Sequence, residues 1–169
     1  ILNFAYSNGI CMLDTAETYG TAQIEIGKYH KKTNNKFKVI TKYSSKKSNL
    51  DQNIEKRVVN NIKELDVPSL YSYMFHSFSD FINYYSKNID ELVICKEKGL
   101  IEKIGVSIYT NKEFEIILDE YNIDLIQLPF NLLDNVNKRN NLIEKAKSKG
   151  IEVHTRSVFL QCLFFMNKL

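Results

Sequence analysis

The sequence contains no C-x-x-C pair, no histidine at ligand spacing from a cysteine and no apolar run long enough to span a bilayer. Without the first two, a structural zinc site has no ligand set, and no metal is expected. Its three cysteines, Cys11, Cys95 and Cys162, stand far apart, which also speaks against a disulfide framework; they read as reduced, mostly buried thiols. The absence of a bilayer-length run speaks against a membrane span, and the opening Ile1-Leu2-Asn3-Phe4 has no charged n-region of a signal peptide, so a cytoplasmic setting is expected. Neither sign of charge dominates, with 23 Lys and Arg against 20 Asp and Glu, interspersed along the chain. Nothing here demands an acidic partner. The basic clusters His30-Lys31-Lys32 and Lys46-Lys47 lack the aromatic interleaving of nucleic-acid sites and read as solvated loop charges. No G-x-G-x-x-G follows the first apolar run, as a dinucleotide-binding open sheet would require.

What is present is a globular sequence, 44% hydrophobic and 12% aromatic over 169 residues, enough for one domain with a sizeable core. Ile1 to Ala5 are spaced as a helix that Asn8-Gly9 closes, and Ile10 to Leu13 reads as a strand. Thr21 is placed to cap a helix with apolar positions Ile24, Ile26 and Tyr29, and Lys38 to Tyr43 is a β-branched strand. A polar loop, Ser44 to Asn49, leads to an amphipathic helix carrying Ile54, Val58, Ile62 and Leu65, ended by Asp66-Val67-Pro68. Leu70 to Phe75 is an aromatic strand running into His76. Ile89, Leu92 and Val93 mark a helix closed by Gly99, and strands at Ile104–Ser107, Asp124–Leu128 and Glu152–Arg156 alternate with helices around Phe114 and Ile143.

The strand ends fall at Asp14, Lys42, His76, Ser107, Gln127 and Arg156, 20 to 34 residues apart, each interval holding one helix and one strand as in parallel βαβ units. Polar residues at the end of strand after strand favour an α/β fold of the (β/α)8 TIM-barrel type, incomplete here, with about six parallel strands and their helices. Residues 1–169 are expected to be a single partial barrel domain, since a full barrel needs about 250 residues.

Such a rim would bring Asp14, Tyr19, Lys42 and His76 together. A free tyrosine has a pKa of about 10, and an adjacent ammonium favours the phenolate, so Lys42 would let Tyr19 give up a proton near neutrality. Asp14 would hold Lys42 charged and in place, and a neutral His76 would orient a carbonyl oxygen. Taken singly, each of these is also an ordinary structural residue, a hydrogen-bonded histidine or half of an ion pair. Four at one rim point to an acid that acts on a carbonyl. His30 and His154 read as surface or core histidines, and Tyr43, Tyr71, Tyr73, Phe75 and Phe78 as packing.

The stretch Gly9-Ile10-Cys11-Met12-Leu13-Asp14-Thr15-Ala16-Glu17-Thr18-Tyr19-Gly20 resembles the first signature of the aldo-keto reductase superfamily, barrel enzymes that reduce carbonyls with a nicotinamide cofactor. The resemblance puts the catalytic aspartate and tyrosine at Asp14 and Tyr19, and the lysine and histidine at Lys42 and His76. Ile104-Gly105-Val106-Ser107 is similar to the strand whose serine contacts the nicotinamide carboxamide, and Ile126-Gln127-Leu128-Pro129-Phe130-Asn131 to the one whose glutamine shares that task. Cofactor contacts are thereby implied for Asp14, Ser107, Gln127, Arg156 and Ser157. Two positions depart from the pattern: Ile108 replaces the asparagine common after the serine, and Arg156 stands where an aromatic often stacks on the nicotinamide. Arg156-Ser157-Val158-Phe159-Leu160-Gln161 resembles a bacterial branch linked to carbohydrate-related reductases, although Cys162 replaces a usual glycine.

The resemblance implies an NAD(P)H-dependent oxidoreductase reducing an aldehyde or ketone, with a small, sugar-related carbonyl as partner and NADP(H) in preference to NAD(H). Counted against the family, the strands are the second to the seventh. The first, the eighth and the segment that grips the adenosine 2′-phosphate lie outside these residues. With no initiator methionine, the chain reads as a piece of a longer protein, truncated at both ends, with unpaired strand edges and little activity alone. Two other readings stand beside this one. One is a non-catalytic, nucleotide-binding subunit like the channel β subunits of the superfamily. The other is a Schiff-base enzyme using Lys42, which Asp14 disfavours by keeping the amine charged.

Overall fold

A computed structural model describes residues 1–46 and 53–166, and the chain divides into two compact units, Ile1–Ile104 and Gly105–Leu169. The first unit carries α1 (Leu2–Ser7), β1 (Met12–Asp14), α2 (Ala22–Lys31), β2 (Lys38–Tyr43), α3 (Ile54–Leu65), β3 (Leu70–Phe75) and α4 (Phe78–Glu97). Strand β4 (Ile101–Ser107) runs from it into the second unit, which continues with α5 (Asn111–Glu120), β5 (Leu125–Pro129), α6 (Val136–Ser148) and β6 (Glu152–Arg156). Six parallel strands alternating with helices is the pattern of an incomplete (β/α)8 barrel, as the spacing predicts.

Within each unit, strands that follow one another in sequence are neighbours in the sheet. Leu13 pairs with Val39 and Lys42 with Met74 in the first unit; Ser107 pairs with Gln127 and Gln127 with His154 in the second. β2 is buried from Val39 to Tyr43, the near-continuous burial of a parallel strand covered on both faces. The helices start where local chemistry supplies a cap. Asn53 accepts from the Lys56 amide at α3, and Ser77 from the Asp80 amide at α4, so His76 is the single residue between β3 and its helix cap. Asp66 ends α3 in the left-handed conformation, at φ 54°.

Several expectations are corrected. β1 begins at Met12 rather than Ile10, and Ile10 is exposed, because the chain is still leaving the Asn8-Gly9 turn there. Thr21 sits at the N-cap of α2 without a side-chain capping bond. The buried stripe of α2 is Gln23, Gly27 and His30, whereas Ile24 is exposed. Gly27 explains this choice, since a β-carbon there would collide with the Glu64 carbonyl oxygen; α2 and α3 approach too closely for an apolar side chain. His30 is therefore a core residue at a helix end and not a loop charge, while Lys31 and Lys32 are exposed. Its Nε2 accepts from the Phe37 amide and its Nδ1 donates to the Leu65 carbonyl, which defines a neutral ring. Only Cys95 is buried; Cys11, in the turn before β1, and Cys162, after β6, are exposed. Residues 47–49 of the polar loop, and Lys47 of the second basic cluster, lie outside the described residues. No described helix is long and apolar enough to cross a membrane.

Candidate active site

Asp14 ends β1, Lys42 lies one residue before the end of β2, and His76 directly follows β3, so three successive units deliver them to the same edge of the sheet. Lys42 Nζ donates to Asp14 Oδ1 at 2.5 Å and to the Thr15 carbonyl at 3.0 Å. The ammonium lies 5.4 Å from the centroid of the Tyr19 ring, and the Tyr19 and His76 rings meet edge to face at 5.6 Å. Thr18 Oγ1 stands 3.2 Å from His76 Nδ1. Asp14, Tyr19, Lys42 and His76 are thus gathered into one cluster, with the lysine buried and the tyrosine half exposed.

Behind this cluster lies a polar network that no motif in the sequence announces. Glu17, two residues before Tyr19, is buried, and its carboxylate accepts from Arg57, from Asn61 Nδ2 at 2.9 Å and from the Tyr73 hydroxyl at 2.6 Å. Burial, and after it the Glu17 charge, hold the Tyr73 phenol well above its ordinary pKa, so it stays a donor. Burial works against the Arg57 charge, but the Glu17 carboxylate bound to it favours that charge, and the guanidinium pKa is raised. Gln23 extends the network, donating to Asn61 Oδ1 at 2.6 Å and accepting from the Thr41 hydroxyl at 2.9 Å. A signal was available: Arg57 and Asn61 fall on the same stripe of α3 as Ile54, Val58 and Leu65, and polar groups on a buried stripe require buried partners.

In the second unit Ser107 and Gln127 are register partners, and both are buried. Gln127 Oε1 is a buried acceptor with no donor among the described residues. Beside the Ser107 hydroxyl, such an acceptor fits a carboxamide, which offers N–H donors and an oxygen, so this pair suits a nicotinamide amide. Arg156 is engaged within the chain: its guanidinium lies 4.1 Å from the Tyr109 ring centroid and donates to the Ile108 carbonyl at 3.3 Å. Ser157 follows it, exposed, at φ 58°. A largely apolar cavity of about 580 Å³ opens at the β5 and β6 ends, lined by Phe130, Asn131, Thr155, Val158 and Phe159 among others. Arg139, also missed from sequence, is buried in this unit; it grips the Asp134 carboxylate, holding that acid below its ordinary pKa, and donates to Asn111 Oδ1 and the Tyr109 carbonyl. Among the described residues no group of three or more His, Cys, Asp or Glu is disposed to hold a metal ion.

Residues 1–168 match the Aldo/keto reductase family. The fold is similar to that of a Pseudomonas aeruginosa protein described as an aldo-keto reductase, at 21% identity and TM-score 0.74, covering 95% of this chain and 66% of that one. An aldo-keto reductase of Bacillus halodurans in its holo form matches at 20% identity and TM-score 0.77, covering 100% of this chain and 59% of its own. The glycerol dehydrogenase of Gluconobacter oxydans matches at 21% identity and TM-score 0.74, covering 99% of this chain and 55% of its own. The chain thus spans 55% to 66% of the length of these three proteins. No curated protein matches it.

Proposed function

Because the chain belongs to the aldo/keto reductase family, we propose that it serves NAD(P)H-dependent reduction of an aldehyde or ketone to an alcohol, with Tyr19 as proton donor. One observation carries this reading: Lys42 is held by Asp14 at 2.5 Å while its ammonium faces the Tyr19 ring at 5.4 Å. The ammonium favours the negative charge that develops on the phenol oxygen as its proton passes to the carbonyl oxygen. Asp14 keeps Lys42 charged and oriented, and so unsuited to attack a carbonyl as a free amine. His76, edge-on to Tyr19, is placed to direct the carbonyl oxygen toward the phenol.

In the second unit, Ser107 and Gln127 would hold the nicotinamide carboxamide, with Arg156 and Ser157 as further cofactor contacts. The Gln127 oxygen, which has no donor among the described residues, supports this assignment. When bound, the nicotinamide supplies hydride to the carbonyl carbon. We assign NADP(H) in preference to NAD(H), a cytoplasmic setting and a small hydroxylated, sugar-related carbonyl as substrate class; the glycerol dehydrogenase among the structural neighbours supports the last. Turnover of a nitrobenzaldehyde with NADPH should be abolished by Tyr19→Phe while the cofactor still binds, and unchanged turnover in that variant would remove the mechanism.

A further inference from the structure

We propose that Glu17 is a positioning residue: its buried carboxylate, held by Arg57, Asn61 and Tyr73, sets the loop that presents Thr18 and Tyr19 to His76. The inference rests on the reading of Tyr19 as the proton donor.

The loop is anchored from two sides. Its backbone is stitched to β2, with the Thr15 amide donating to the Ile40 carbonyl at 2.9 Å and the Glu17 amide to the Lys42 carbonyl at 3.3 Å. Its one deeply buried charged side chain, Glu17, reaches α3 and β3, where it meets the guanidinium of Arg57, the amide of Asn61 and the phenol of Tyr73. Thr18 and Tyr19 directly follow these anchors and are exposed, so the anchored backbone governs where their side chains begin.

The same network reaches β2, which carries Lys42, and β3, which leads into His76. Thr41, next to Lys42, is tied in through Gln23 and Asn61. Arg57 donates to the Ser44 carbonyl at 3.1 Å, just past the end of β2, and stacks on the Tyr43 ring at 4.1 Å. Tyr73 lies on β3, three residues before His76. A buried ion pair is a weak source of stability relative to apolar packing, because both charges lose their hydration. It is directional, however, since a carboxylate with three fixed donors has one satisfied orientation and a hydrocarbon side chain has many. Glu17 therefore relates the loop, β2 and β3 to one another at the positions where Tyr19, Lys42 and His76 emerge.

The test uses the full chain with two substitutions. Glu17→Gln keeps the side-chain shape and removes the charge, and Tyr73→Phe keeps the ion pair and removes one donor, so it decides the matter if the first variant does not fold. Circular dichroism identifies the folded variants, and nuclear Overhauser effects between the Tyr19 and His76 rings report their approach. In the folded variants these effects should weaken at least about twofold, and kcat should fall at least about tenfold with cofactor affinity changed less than about twofold, since orientation and not binding is lost. Undiminished ring contacts in the folded variants overturn the proposal. Weakened contacts with unchanged kcat leave Glu17 as the anchor but remove Tyr19 from the chemistry, which is the failure of the earlier reading and not of this one.

Discussion

Lys42 Nζ lies 2.5 Å from Asp14 Oδ1, yet the two partners live in different solvents: the lysine side chain is 2% exposed and the aspartate side chain 40%. The pair is asymmetric, because losing the aspartate takes the carboxylate from a buried ammonium that still donates to the Thr15 carbonyl, whereas losing the lysine leaves a carboxylate that water can reach. Asp14→Ala should therefore cost about 2 kcal/mol of stability and Lys42→Met about 1 kcal/mol or less, read from urea unfolding. The reverse order would show that the carboxylate, and not the ammonium, depends on the pair.

Gly27 separates helix propensity from packing. Alanine is intrinsically better in a helix than glycine by about 1 kcal/mol. At this position the added methyl meets the Glu64 backbone oxygen, which has no free rotation with which to yield. Overpacking of this kind costs about 1 to 3 kcal/mol, so Gly27→Ala should lower the melting temperature despite its better propensity. A rise would mean that α2 and α3 separate at little cost.

Gln127 should show opposite effects on stability and binding. Its Oε1 is buried without a donor among the described residues, a desolvation penalty that a methionine of similar size does not incur. Gln127→Met is expected to stabilise the chain without cofactor by about 1 kcal/mol and to weaken NADPH binding about tenfold, measured by thermal shift and nicotinamide fluorescence. Destabilisation together with undiminished binding would place the carboxamide contact elsewhere.

Cys95 gives a pH signature. Burial pushes its thiol up to about 11, with the Glu55 charge adding to the effect, while an unfolded cysteine titrates near about 8.5. Between these values the unfolded chain has released the proton and the folded chain has kept it. The unfolded state therefore binds fewer protons, and stability falls as pH rises through that window. Cys95→Ala should flatten the decline between about pH 8.5 and about pH 11. In native protein at pH 8, a thiol reagent should modify Cys11 and Cys162 and reach Cys95 only on unfolding.

How much of this was legible in the sequence follows from the range of each interaction. Lys38–Tyr43, Leu70–Phe75 and Glu152–Arg156 are strands with the boundaries that their β-branched and aromatic runs predict. Their sharp ends placed Lys42, His76 and Arg156 at the sheet edge. In the sequence Ile24 and Ile26 look like the buried face of α2, while the closeness of α3 selects Gln23, Gly27 and His30 instead. A cofactor role for Arg156 comes from the family resemblance alone, whereas its stacking on Tyr109 depends on a residue of another loop.

By itself the sequence determined the alternation of strands and helices, and with it the delivery of Asp14, Lys42 and His76 to one edge, because strand period and βα spacing are local properties. Only the tertiary structure decided what surrounds Glu17. Its partners Arg57, Asn61 and Tyr73 lie 40, 44 and 56 residues along the chain, and nothing in their own neighbourhoods names a carboxylate. A buried charge acquires its meaning from the donors that folding brings to it, and those are set by how α3 and β3 pack against the loop.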